Sequence, residues 1–91
     1  LDLRKDIDTT DPTAQYQIQV ASFAKASEAE RVKAELALLG IEIRVERAQL
    51  KNGQVRHRVT AGPYLGKSAL DKARARLKNN GYRELLVRVQ R

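Results

Sequence analysis

Cysteine, methionine and tryptophan are missing from this 91-residue chain, and its aromatic side chains are only Tyr16, Phe23, Tyr64 and Tyr82. Without cysteine there is no disulfide and no thiolate metal site to support the fold, an absence compatible with either redox compartment. His57 is the lone histidine, and no cysteine or paired serine accompanies it as a nucleophile would require. No apolar run approaches the ~20 residues of a membrane-spanning helix, and no signal-peptide pattern is present. The chain begins at Leu1 and lacks methionine, so it is expected to be a fragment of a longer protein, with any anchor or address outside it.

Hydrophobic residues make up 42% of the chain, enough for one small domain with a modest core, since a chain this short buries only about two-thirds of its unfolded surface. The formal charge of +7 is unevenly placed. Residues 1–14 hold Asp2, Asp6, Asp8 and Asp11 against Arg4 and Lys5, a net −2 that leaves +9 on residues 15–91. Such a basic balance favours encounter with an anionic polymer or surface without specifying which one. Residues 1–14 mix Asp, Thr and Pro without a sustained period, and Thr10-Asp11-Pro12 reads as a turn, so this segment is expected to be a flexible linker to a domain at 15–91.

The stretch Tyr16-Gln17-Ile18-Gln19-Val20-Ala21-Ser22-Phe23 organises that domain. Tyr16, Ile18 and Val20 alternate with Gln17, Gln19 and Ala21, and a two-residue period sends the first set to a core and the second to the opposite face of a strand. Ser27-Glu28-Ala29-Glu30 has the form of a capping box, predicting a helix from about Ser27 to Leu39 with Gly40 just past its end. Ile41, Ile43 and Val45 predict a second strand, and Lys51-Asn52-Gly53 a hairpin turn into a third near Val55. In the third strand Val55, His57 and Val59 share one parity and Arg56, Arg58 and Thr60 the other, until Gly62-Pro63 interrupts it. Ser68-Ala69-Leu70-Asp71 opens a second helix that ends at Asn79-Asn80-Gly81, and Leu85, Val87 and Val89 mark a fourth strand alternating with Leu86 and Arg88.

A shift of 41 residues lays Ile18 on Val59, Phe23 on Tyr64, Ser27 on Ser68, Leu36 on Leu77 and Gly40 on Gly81, so the chain is two βαβ halves in tandem. With right-handed crossovers the halves interleave as an α+β, ferredoxin-like split βαβ fold (βαββαβ): a four-stranded antiparallel sheet with two helices on one face. The first and third strands then occupy its centre, and the uncovered face presents Gln17, Gln19, Arg56, Arg58 and Thr60.

Tyr16-x-Ile18-Gln19-Val20-x-Ser22-Phe23, the helix ending in Leu39-Gly40, Arg58-Val59-x-x-Gly62-Pro63-Tyr64 and the closing Gly81-Tyr82 resemble the SPOR domain, the sporulation-related repeat of bacterial envelope proteins. The tether and the closing Leu86–Arg91 segment are most similar to the C-terminal domain of FtsN-type cell-division proteins. The resemblance implies a non-enzymatic module that binds septal peptidoglycan, namely glycan strands stripped of their stem peptides. It implies a location on the periplasmic face of the inner membrane at the division septum, membrane attachment only through an anchor outside the fragment, and division proteins as further partners. It places the glycan on the exposed sheet face, carrying over Gln19, Ser22 and Arg58. Arg56 departs from the tryptophan of better-known members; it can lie beneath a sugar or meet a lactyl carboxylate. With Gln17 beside them, the candidate glycan-binding residues are Gln17, Gln19, Ser22, Arg56 and Arg58. No cofactor or metal is expected, and the domain is expected to be a monomer.

Other readings compete. Polar residues on an exposed sheet face also serve solubility alone, and the same face or its edge can dock a protein partner of the division machinery. Single-stranded RNA binds open sheets of this topology, but through aromatics on the central strands, where this chain has Gln and Arg; no nucleic-acid partner is expected. Glu42 and Glu46 share a strand face as glycosidase carboxylates would, yet their alternation with Arg44 reads as cross-strand charge pairing, and no enzymatic activity is expected. Phe23 and Tyr64, equivalent in the repeat, are expected to cap the core. Lys72, Arg74, Arg76 and Lys78 read as a solvated helix face that can also attract anionic wall polymers or lipid headgroups, an attraction salt abolishes.

Overall fold

The computed structural model describes residues 13–90. Most of the expected linker, residues 1–12, lies outside the described residues. The elements are β1 (Gln15–Phe23), α1 (Ala26–Leu38), β2 (Ile43–Gln49), β3 (Val55–Leu65), α2 (Gly66–Asn79) and β4 (Leu86–Gln90). They form a sheet of order β2-β3-β1-β4 in which every neighbouring pair is antiparallel. The fold is therefore the expected βαββαβ arrangement: β3 lies between β2 and β1, and β1 between β3 and β4, so each helix must cross over a strand of the other half. α1 packs on β1, β2 and β3, and α2 on β1 and β3.

The periodicity explains which side chains fill the space between helices and sheet. Tyr16, Ile18 and Val20 of β1 and Val59 and Ala61 of β3 meet Ala29, Val32 and Leu36 of α1 and Leu70, Ala73 and Leu77 of α2. Tyr16, Ile18, Leu36, Leu77 and Val59 are the largest fully buried side chains. Each such aliphatic or aromatic side chain contributes about 1.5–3 kcal/mol from the apolar surface it removes from water. Phe23 and Tyr64 are partly buried against this core, as their repeat equivalence suggests, and Ala14 belongs to it as well. Gly40 and Gly81 close the two helices at positive φ, as expected from their positions.

Three local expectations are corrected. Neither capping box forms: α1 follows Lys25 and α2 follows Leu65, both in extended conformation with no side-chain cap. Ser27 and Ser68 thus lie inside the first turn, where their own helical backbone removes them from the cap position. For α2 the cause is that β3 runs straight into the helix, with the Gly66 amide donating to the Ala14 carbonyl at 3.0 Å. Second, Gly62-Pro63 does not end the third strand. β3 continues to Leu65 across an irregularity, Tyr16 standing opposite Tyr64 and Ile18 opposite Ala61, so three steps on β3 match two on β1. A proline, lacking the amide hydrogen, is tolerated where the ladder is already broken. Third, Glu46 meets Arg44 along its own strand at 3.7 Å rather than across strands.

Two tyrosines tie the periphery to the core. The Tyr82 hydroxyl donates to Glu35 Oε2 at 3.2 Å, fastening the segment after α2 to α1. Burial, then the hydrogen bond to Glu35, raises the Tyr82 pKa, and burial raises that of Tyr64. A raised folded-state value means the neutral phenol is favoured in the native protein, so this stability is whole below the ordinary tyrosine pKa of about 10 and is lost as pH rises through the folded value. The melting temperature is accordingly expected to fall more between pH 9 and 11 for the wild type than for a Tyr64→Phe/Tyr82→Phe variant (pH values around the reference of about 10); parallel curves would refute it.

Candidate functional site

The sheet face away from the helices is uncovered, and strand register brings its residues into rows. Arg44, Thr60, Gln19 and Leu86 stand in line across β2, β3, β1 and β4. The next row holds Glu46, Arg58 and Ser22, and Gln17 stands opposite Arg88 on the other side of Gln19. Thr60, at the centre, is buried on this open face.

A bulge in β1 makes the site. Gln19 is opposite Thr60, and Ala21 is opposite Val59, so two residues of β1 are matched by one of β3. An extra residue reverses the inside-outside alternation beyond it. Strict alternation from Tyr16, Ile18 and Val20 would turn Ser22 into the core and Ala21 outward; instead Ala21 and Phe23 pack against the core. Ser22 comes opposite Arg58 on the open face. The expectation that Ala21 shares the face of Gln17 and Gln19 is thereby corrected, and Gln19 and Ser22, of opposite parity in the sequence, lie on one side.

Hydrogen bonds then fix what each group can offer a ligand. Arg56 Nε donates to Ser22 Oγ at 3.1 Å, and its Nη2 donates to the Ser22 carbonyl at 2.8 Å. This two-point grip holds the strand just past the bulge and commits much of the Arg56 fork to the protein itself. Ser22 Oγ, as acceptor, keeps its own hydrogen to give. Gln19 Oε1 accepts from Arg88 Nη2 at 3.0 Å, and because arginine only donates, the Gln19 amide nitrogen is left to face outward. The side-chain oxygens of Gln19 and Ser22 are thus engaged internally, while the donors on Gln19, Ser22 and Arg58 suit a ligand rich in carbonyl or carboxylate oxygens.

The β1–β4 ladder stops at Gln19 opposite Leu86. Beyond it the strands part, and a groove of about 580 Å³ opens between Gln19–Ser22 on one wall and Arg83–Leu86 on the other. Gln19 and Ser22 line this groove; Gln17, Arg56 and Arg58 do not. Leu86 is 58% exposed and supplies apolar surface. Leu86, Arg88 and Arg44 stand beside the candidate residues on this face and were not among those the sequence pointed to. A leucine at the outward parity of the last strand was a readable signal, but only the strand order puts it beside Gln19.

His57 is half-buried, opposite Phe23 and Arg47. Among the described residues no group of three or more histidines or carboxylates is placed to hold a metal ion, and no helix is long and apolar enough to cross a membrane.

A family model described as SPOR domain matches residues 12–88. No curated protein matches the chain. Among solved structures, the SPOR domain of RlpA from Pseudomonas aeruginosa superimposes with a TM-score of 0.72 at 22% identity, over 80% of this chain and 96% of that one. The peptidoglycan binding domain of the B. subtilis cell wall lytic enzyme CwlC gives a TM-score of 0.65 at 24% identity, over 93% of this chain and 100% of that one. At these identities the likeness establishes a shared fold.

Proposed function

The chain belongs to the SPOR domain family, and from that premise we propose that it is a non-catalytic module that binds peptidoglycan glycan strands lacking stem peptides. Binding holds its parent protein to the septal wall on the periplasmic side of the inner membrane. The observation that carries the reading is the donor array of Gln19, Ser22 and Arg58 on the uncovered sheet face, beside a groove with an apolar wall at Leu86. An N-acetylated sugar presents an amide carbonyl to such donors and a flat carbon face to such a wall. Removing the stem peptide from a muramic acid exposes a lactyl carboxylate, two acceptor oxygens and a negative charge that a guanidinium fork fits.

The roles divide accordingly. Gln19 and Ser22 orient acetamido groups, Arg58 takes the carboxylate, and Gln17 and Arg88 extend the row. Arg56 acts chiefly by holding Ser22 past the bulge. The basic charge raises encounter rates with an anionic strand. The groove is open and its polar groups must first shed water, so affinity for one site is expected in roughly the micromolar range. Pelleting with purified sacculi before and after amidase digestion tests the reading: bound protein rises after digestion, and equal pelleting in both arms rejects the preference for stripped strands.

A further inference from the structure

The arginines of the open sheet face and its groove fall into two sets. Arg44 meets Glu46, Arg56 holds Ser22, and Arg88 donates to Gln19. Arg58 and Arg83 have no such acceptor among the described residues. Arg58 is the guanidinium to which a lactyl carboxylate is assigned above. Arg83 has no task yet, although it lines the groove across from Gln19 and Ser22.

The Arg83 side chain is exposed, but its backbone is held from both sides. Before it, the Tyr82 amide donates to the Leu77 carbonyl at 3.0 Å and the Tyr82 hydroxyl to Glu35 Oε2 at 3.2 Å, while Arg31 engages the other oxygen of Glu35. After it, Leu85 packs partly against the core and Leu86 joins the ladder opposite Gln19. The wall therefore has little backbone freedom left to lose when a ligand arrives.

Position decides what the two free guanidinia can share. Arg58 stands opposite Ser22 on β3, one strand spacing from β1, whereas the wall of Arg83 lies on the other side of β1, where the ladder has ended and the strands have parted. With paired strands about 4.8 Å apart, the two backbones are separated by at least roughly 10 Å, with Gln19 and Ser22 between them. Two cations so spaced suit two acidic groups carried in succession on one chain better than a single carboxylate. A polyphosphate brings no apolar surface to meet Leu86 and no amide carbonyl for Gln19. A chain in which N-acetylated sugars carry acids at intervals brings all three.

We infer that Arg83 takes a second lactyl carboxylate, so that the site spans two muramic acids of a stripped strand, one held by Arg58 and the next by Arg83. The inference rests on the glycan reading proposed above and extends it to the length of strand the site recognises. Glu84, beside Arg83 and also exposed, is then an opposing charge rather than a contact.

Pelleting with amidase-treated and untreated sacculi tests it, equal melting temperatures checking that the variants fold. Arg83→Gln should lower pelleting with treated sacculi about tenfold, as loss of a hydrogen bond to a charged group does, and should narrow the difference between treated and untreated wall. Lys72→Gln removes the same charge from the exposed side of α2 and should change binding less than about twofold, since a remote charge acts only through screened attraction. Glu84→Gln should not weaken binding. Arg58→Gln/Arg83→Gln should show the product of the two single losses, as independent contacts do. The proposal is overturned if Arg83→Gln binds as the wild type does, if Lys72→Gln matches its loss, if Glu84→Gln weakens binding, or if the double variant is no worse than Arg58→Gln. A wild-type protein without preference for treated sacculi would reject the glycan reading itself, and this inference with it.

Discussion

Alanine at both Gln19 and Arg58 is expected to lower pelleting with amidase-treated sacculi by about a hundredfold while the melting temperature barely moves. A neutral hydrogen bond contributes about 0.5–1.5 kcal/mol and one between charged groups about 1.5–3 kcal/mol, so losing the Gln19 contact to an acetamido group and the Arg58 contact to the carboxylate amounts to roughly 3 kcal/mol, or two decades of affinity. Both side chains project from central strands onto the uncovered face, and neither belongs to the core. Stability should therefore change by no more than about 0.5 kcal/mol, the usual effect of a surface substitution. Arg88, deprived of Gln19 Oε1, is exposed and turns to water. Unchanged pelleting by the double variant would remove the glycan site from this face. If the same variant instead lost a protein of the division machinery, the face would be a protein-docking surface.

The second large effect is on the fold. Gly62 has φ of +117°, and a Cβ added there would lie 3.0 Å from the Tyr16 carbonyl oxygen and 3.3 Å from the backbone and ring of Tyr64. Gly62→Val thus meets backbone strain of about 1–3 kcal/mol together with a clash against a backbone atom of β1 that cannot yield without opening the β1–β3 ladder. A total of about 3–4 kcal/mol is expected, a large part of the roughly 5–15 kcal/mol that holds a small domain together. At about 4–8 °C per kcal/mol for a chain of this size, the melting temperature should fall by about 15 °C or more. Gly53→Val is the control, since its φ is also positive at +86° but nothing lies within 4 Å of the added carbon, and its cost should be the strain alone. Equal losses at the two glycines would show that the irregularity in β3 relaxes freely.

Most of the architecture could be read before any coordinates. Alternation placed Tyr16, Ile18 and Val20 inside, helical spacing placed Leu36 and Leu77 over them, and the 41-residue repeat implied the interleaved sheet; burial of these residues accounts for all of it. Helix starts were less legible. Ser27 and Ser68 have the composition of caps, but α1 already begins at Ala26, two residues after β1 ends, and α2 begins at Gly66 directly where β3 ends, so both serines fall inside a first turn; packing of the apolar stripe outweighs the modest contribution of a cap.

The sequence by itself determined the four strands, two helices, the apolar side of each and the basic surplus, because these depend on local periodicity and composition. Only the tertiary structure decided that Gln19 and Ser22 share a face, that Arg56 grips Ser22, and that Leu86 and Arg88 come beside Gln19 and Gln17 from the far end of the chain. The physical reason is that a bulge is a disagreement in length between two partners: the residue β1 carries in excess can be recognised only against the strand it pairs with, and that one residue reverses every side chain beyond it.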